Sequence, residues 1–83
     1  MNIYEFITTR NKPDVAGILA ASAYAIREST SLFSALEEMG FYFENIEIDE
    51  LVRDISDAFE LSRLSAFCST QLMILSSHPF NQD

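Results

Sequence analysis

Residues 13–26 read PDVAGILAASAYAI, and this stretch decides the fold class. Pro13 suits the first position of a helix, because its missing N–H has no intrahelical partner there. Asp14 beside it complements the positive end of the helix dipole. Val15, Ile18, Leu19, Ser22 and Ile26 then recur at helical spacing and make an apolar stripe. Ala16, Ala20 and Ala23, with Gly17 and Ala21 beside them, form a second stripe of small residues across which another helix can approach closely.

Working outward to the N-terminus, Asn2 followed by Glu5 has the spacing of a capping box. Ile3, Phe6 and Ile7 share one face of the short helix it starts, which should end near Thr9. Pro13 disfavours helix at Lys12, so Arg10–Lys12 reads as a break. In the other direction, Ser29, Thr30 and Ser31 mark a boundary. Hydroxyl side chains in a row compete with the helix backbone, and any of them can cap the next helix. The alternative is one unbroken helix from Pro13 to Met39. The next helix carries Leu32, Phe33, Leu36 and Met39, and Gly40 stands where a glycine closes a helix.

Phe41 to Ile48 is the least helical segment. It reads as an extended connection whose aromatics fold back as a lid on the core. Asp49 is then expected to cap a last helix, with Glu50 in its first turn. Its apolar stripe runs through Leu51, Val52, Ile55, Phe59, Leu61, Leu64, Cys68, Leu72 and Leu75, and Pro79 stops it near Ser77. Unbroken, it would be about 40 Å long at 1.5 Å per residue. It has no charge after Arg63, so it needs burial on more than one side, and the charge-free second helix is its natural neighbour.

The expected fold is therefore all-α: one domain over residues 1–83, a compact bundle of three to four helices with an extended connection near residues 41–48. The expected core comprises Phe6, Ile7, Ile18, Leu19, Ile26, Phe33, Leu36, Ile55, Phe59, Leu64 and Leu72. A chain of 83 residues that is 48% apolar has more such surface than one small core hides. Self-association, most simply as a homodimer, would cover the surplus. Cys68 is alone, which fits a reducing compartment and a buried, inert thiol. Met1-Asn2-Ile3-Tyr4-Glu5 has no basic region of a signal peptide, and no stretch is long and apolar enough to span a bilayer. The expected setting is cytoplasmic, without membrane contact.

Thirteen acids against five bases give a net charge of −8. Phosphate binding needs clustered bases, and Arg10, Lys12, Arg27, Arg53 and Arg63 form no cluster, so direct nucleic-acid binding is not expected. Catalysis is not expected either. His78 is the single histidine and precedes a proline, and there is no phosphate loop, calcium loop or Glu-x-x-His motif. No cofactor or metal is expected.

The acids are not spread evenly. Glu37, Glu38, Glu44, Glu47, Asp49, Glu50, Asp54, Asp57 and Glu60 lie in one segment with Arg53 as its only base, so this segment carries the whole net charge. On one continuous helix, Glu50, Asp54 and Asp57 would line a face. These nine acids, with Phe41, Tyr42 and Phe43 as apolar anchors, are the expected binding surface for a protein partner with a basic surface. In size, acidity and lack of catalytic groups the chain resembles small phage inhibitors of host defence, including anti-CRISPR and DNA-mimic proteins, and nuclease-immunity proteins. That likeness is one of type, and it implies inhibition of a nucleic-acid-handling partner by occlusion. The alternative is a structural or adaptor subunit that oligomerises through its apolar helices, its acids serving only solubility.

Overall fold

A computed structural model describes residues 1–77. His78 and Pro79 lie outside the described residues. Among the described residues the chain forms five helices and no strand: α1 (Ile3–Thr8), α2 (Lys12–Glu28), α3 (Leu32–Glu38), α4 (Ile46–Arg53) and α5 (Ala58–Ser76). None of them is long and apolar enough to cross a membrane.

Local chemistry sets each boundary. At α1 the Asn2 side chain accepts from the Glu5 N–H at 2.8 Å, and the Asn2 N–H donates to Glu5 Oε1 at 3.1 Å, completing the capping box. Helix α2 starts one residue earlier than Pro13. Asn11 accepts from the Asp14 N–H at 3.1 Å, a cap that offsets the restriction Pro13 places on Lys12. α2 closes at Ser29, in the left-handed region at φ 54°, with Thr30 N–H donating to the Ala25 carbonyl. Ser31 then caps α3 by accepting from the Ser34 N–H. Gly40, at φ 87°, ends α3: its N–H reaches the Glu37 carbonyl and that of Phe41 the Leu36 carbonyl at 2.8 Å.

The expected helix from Asp49 to Ser77 is two helices, which raises the count from three or four to five. Asn45, and not Asp49, caps α4, so the extended connection ends at residue 45 and Asp49 sits in the first turn. Helix α4 stops at Asp54. The Ile55 carbonyl leaves the helical path and accepts from the Leu32 N–H at 3.1 Å, satisfying an orphan donor at the start of α3. Asp57 then starts α5, accepting from the N–H groups of Phe59 at 2.8 Å and Glu60 at 3.1 Å. Restarting the helix resets its phase. Leu61, Leu64 and Cys68 turn inward, and Phe59, expected in the core, is 73% exposed. With 19 residues, α5 is about 28 Å long.

The two long helices, α2 and α5, pack most extensively on each other; α3 lies on α2, α4 on α3, and α1 against α4 and α5. Phe6, Ile7, Ile18, Leu36, Ile55 and Leu64 are buried, as read from the sequence, and Leu19, Ile26, Phe33 and Leu72 are half-buried against them. Ile3, Val15, Leu32, Ile48, Val52 and Leu61 complete the larger part of the core. The small residues that face inward from α2 are Gly17, Ala21, Ser22 and Ala25, whereas Ala16, Ala20 and Ala23 are exposed.

Gly17 has a definite task. The Phe41 ring occupies the space that a Cβ there would fill. Helix propensity alone would make Gly17→Ala stabilising by about 1 kcal/mol. Forcing a methyl group against a seated ring costs about 1–3 kcal/mol. We expect the second effect to win and the urea midpoint to fall; a midpoint that rises would contradict the packing.

Cys68 is fully buried, and burial pushes its thiol up to about 11. The unfolded chain ionises this thiol at lower pH than the native state does, so it binds fewer protons in that window. Native stability is therefore complete below about pH 9 and falls as pH rises toward 11. Tyr4 and Tyr24, both shifted upward, add to the loss at its alkaline end. We expect Cys68→Ala to flatten the stability profile between these limits; an unchanged slope would show that the thiol does not contribute.

Candidate functional site

Two backbone devices fix the segment between α3 and α4. The Gly40 turn holds one end. The Asn45 side chain, accepting from the N–H groups of Glu47 at 2.9 Å and Ile48, holds the other. Between them the aromatics alternate, as extended chain requires. Phe41 seats against Gly17. Phe43 lies edge-on to Phe6 at a centroid distance of 5.4 Å, and the Arg10 guanidinium stacks 3.8 Å from the Phe6 centroid. Tyr42, between them, points outward and is 76% exposed. Two of the three aromatics thus form the expected lid, and the third is presented to solvent.

Beside this connection lies a cavity of about 210 Å³. Phe33, Leu36 and Glu37 of α3 form one wall, Asp49 and Arg53 of α4 another, and Phe41, Tyr42 and Phe43 the third. The Arg53 guanidinium sits 4.6 Å from the Phe33 ring centroid. On the other side of the connection a second cavity, of about 240 Å³, opens among the same aromatics, Phe6, Arg10, Asp14 and Ile18. Glu44 borders a third with Arg10 and Asn45.

The structure divides the acidic residues by what they do. Glu37 and Asp49 meet at the first cavity with Phe41, Tyr42 and Phe43. Glu38 accepts a 2.9 Å hydrogen bond from the Tyr24 hydroxyl, and that bond raises the pKa of the phenol. Glu60 accepts from the Tyr4 hydroxyl at 2.6 Å and pairs with Arg63 at 3.5 Å. Burial first, and then this bond to Glu60, raises Tyr4. Asp57 caps α5, and Asp54 closes α4. Glu47 and Glu50 are exposed on α4. Glu50 lies on α4, Asp54 closes it and Asp57 caps α5, so the three do not stand on the one continuous helix expected.

The sequence reading did not place Phe33, Leu36 or Arg53 at this site. The spacing was present: Phe33, Leu36 and Glu37 fall at i, i+3 and i+4 on α3, and Asp49 and Arg53 at i and i+4 on α4.

Glu37 and Asp49 beside the Phe41 and Tyr42 rings suit a cation with a flat or extended apolar body, next to the Phe33 face that Arg53 already covers. Its size points to a single side chain, since small-molecule pockets run to about 300–1,000 Å³. Among the described residues, no three His, Cys, Asp or Glu side chains gather where they could hold a metal ion. Comparison with family models, curated proteins and solved structures finds no match to this chain.

Proposed function

We propose that the protein is a non-enzymatic, cytoplasmic inhibitor or regulator that seats an Arg or Lys side chain of a basic, nucleic-acid-handling protein in the cavity between α3, α4 and the aromatic connection. The observation that carries this reading is the convergence of Phe41 and Tyr42 with Glu37 and Asp49 around one side-chain-sized space, beside the Phe33 ring that Arg53 covers. The surrounding acids, Glu44, Glu47, Glu50 and Asp54, supply the field that steers a basic surface toward it. Seated there, the carboxylates occupy cations that would otherwise hold phosphate, and the partner loses access to nucleic acid by occlusion.

Titration of the isotope-labelled protein with an Arg-rich peptide tests the site. Saturable chemical-shift changes should centre on Phe33, Tyr42, Asp49 and Arg53, and they should weaken as salt rises. Changes spread evenly over Glu44, Glu47, Glu50 and Asp54, with the cavity silent, would reduce the acidic segment to a solvating surface.

A further inference from the structure

The second and third cavities adjoin, because Arg10, Tyr42 and Phe43 line both. Asp14 belongs to the second alone and Glu44 to the third alone. The order of charge across the pair is therefore acid, base, acid. Each of the two has one acid and one base, whereas the first cavity has two acids, Glu37 and Asp49, with Arg53. Arg10 is held in a defined pose. Its guanidinium lies 3.8 Å from the centroid of the buried Phe6 ring, which Phe43 braces edge-on. Stacking uses one face of the guanidinium and leaves its N–H edge open. Among the described residues, the ion pairs are Arg27 with Glu28 and Arg63 with Glu60, and the same two arginines donate the side-chain hydrogen bonds. Arg10 pairs with neither Asp14 nor Glu44.

We propose that Arg10 binds a carboxylate of the docking partner, set between two basic side chains that face Asp14 and Glu44. This rests on the docking proposed above, and it adds what distinguishes the partner from other basic proteins. A planar guanidinium takes a carboxylate through two parallel N–H bonds. Side chains two apart on an extended chain lie on one face. The fitting segment is thus extended and reads base, any residue, acid, any residue, base. A run of bases alone is penalised, since its central cation meets Arg10. A phosphate in the same place is disfavoured too, because it brings nearly two negative charges between Asp14 and Glu44 where a carboxylate brings one.

Two end-capped peptides, Arg-Ala-Glu-Ala-Arg and Arg-Ala-Gln-Ala-Arg, test the assignment by titration of the isotope-labelled protein. The Gln peptide is the more positive, so attraction to a protein of net charge −8 would by itself make it the tighter ligand. The opposite order is expected, with the Glu peptide about tenfold tighter, the effect of one charge-assisted pair. Its chemical-shift changes should centre on Arg10, Asp14, Tyr42 and Glu44. Arg10→Gln should reverse the order. Arg10→Lys keeps the charge and loses the fork, so it should keep only part of the preference. Arg10 also covers Phe6, so a melting curve accompanies each variant, while the comparison of peptides on the wild-type protein needs no variant. A Gln peptide that binds the wild type as tightly as the Glu peptide, or more tightly, overturns the inference. So does a preference for the Glu peptide that survives Arg10→Gln. If the Arg-rich peptide still perturbs Phe33 and Asp49 in either case, the docking stands and the role of Arg10 alone falls. If no basic peptide binds, both fall.

Discussion

Phe6→Ala is expected to lower stability by about 3–5 kcal/mol, the range for truncating a buried aromatic. Phe6 is 1% exposed. Its ring meets the edge of Phe43 and carries the Arg10 guanidinium, so one truncation removes apolar burial, an aromatic pair and a cation–π contact together. Whole domains are stable by about 5–15 kcal/mol, and a chain this short belongs near the lower end. The variant should therefore unfold at a much lower urea concentration, with a broad or incomplete native baseline. Phe6→Leu keeps most of the volume and should lose less than about 1.5 kcal/mol. A loss below 1 kcal/mol for the alanine variant would place the centre of the core elsewhere.

The largest effect on recognition is expected from Glu37→Lys combined with Asp49→Lys. Charge pairs that lose their water at an interface can be worth several kcal/mol, so binding of an Arg-rich partner should fall by about a hundredfold or more. The fold should barely respond. Glu37 lies in the last turn of α3, where a cation suits the helix dipole better than an anion. Asp49 lies in the first turn of α4, where the reverse holds, so the two changes offset each other within about 1 kcal/mol. Asp57 does not belong in such a variant, because its side chain caps α5 and its loss alone costs about 0.5–2 kcal/mol. Calorimetry against the peptide and a melting curve on the same samples separate the two effects. Normal affinity in the double variant would remove the cavity from the binding surface.

Helix class was legible because periodicity and caps agreed from Asn2 to Gly40. The capping box, the Ser29–Ser31 boundary and the left-handed Gly40 all stand where the sequence puts them. Reading failed at residues 45–57. Apolar spacing from Leu51 to Leu75 continues smoothly enough to suggest one helix. The break follows from a long-range bond, the Ile55 carbonyl with the Leu32 N–H, which no window of sequence contains. Asn45 and the pair Asp57 and Glu60 were the available local signals, a cap and a capping-box spacing hidden among many acids. From that one misplaced boundary came the displaced Phe59 and the placing of Glu50, Asp54 and Asp57 on one helix. The three aromatics, Glu37 and Asp49 were named from the sequence, and they line one cavity. Phe33, Leu36 and Arg53 were not, because the angle between α3 and α4 brings them to the cavity.

The connection between α3 and α4 is held by what lies at its ends. Gly40 and Phe41 close onto α3 through backbone N–H groups, and Asn45 closes onto α4 through its own side chain. Tyr42, exposed between two anchored rings, contributes to neither closure. Its identity is thus decoupled from folding, as surface positions remote from caps and core generally are. Substitution of Tyr42 would therefore reshape the exposed surface of the connection while every helix stays in place.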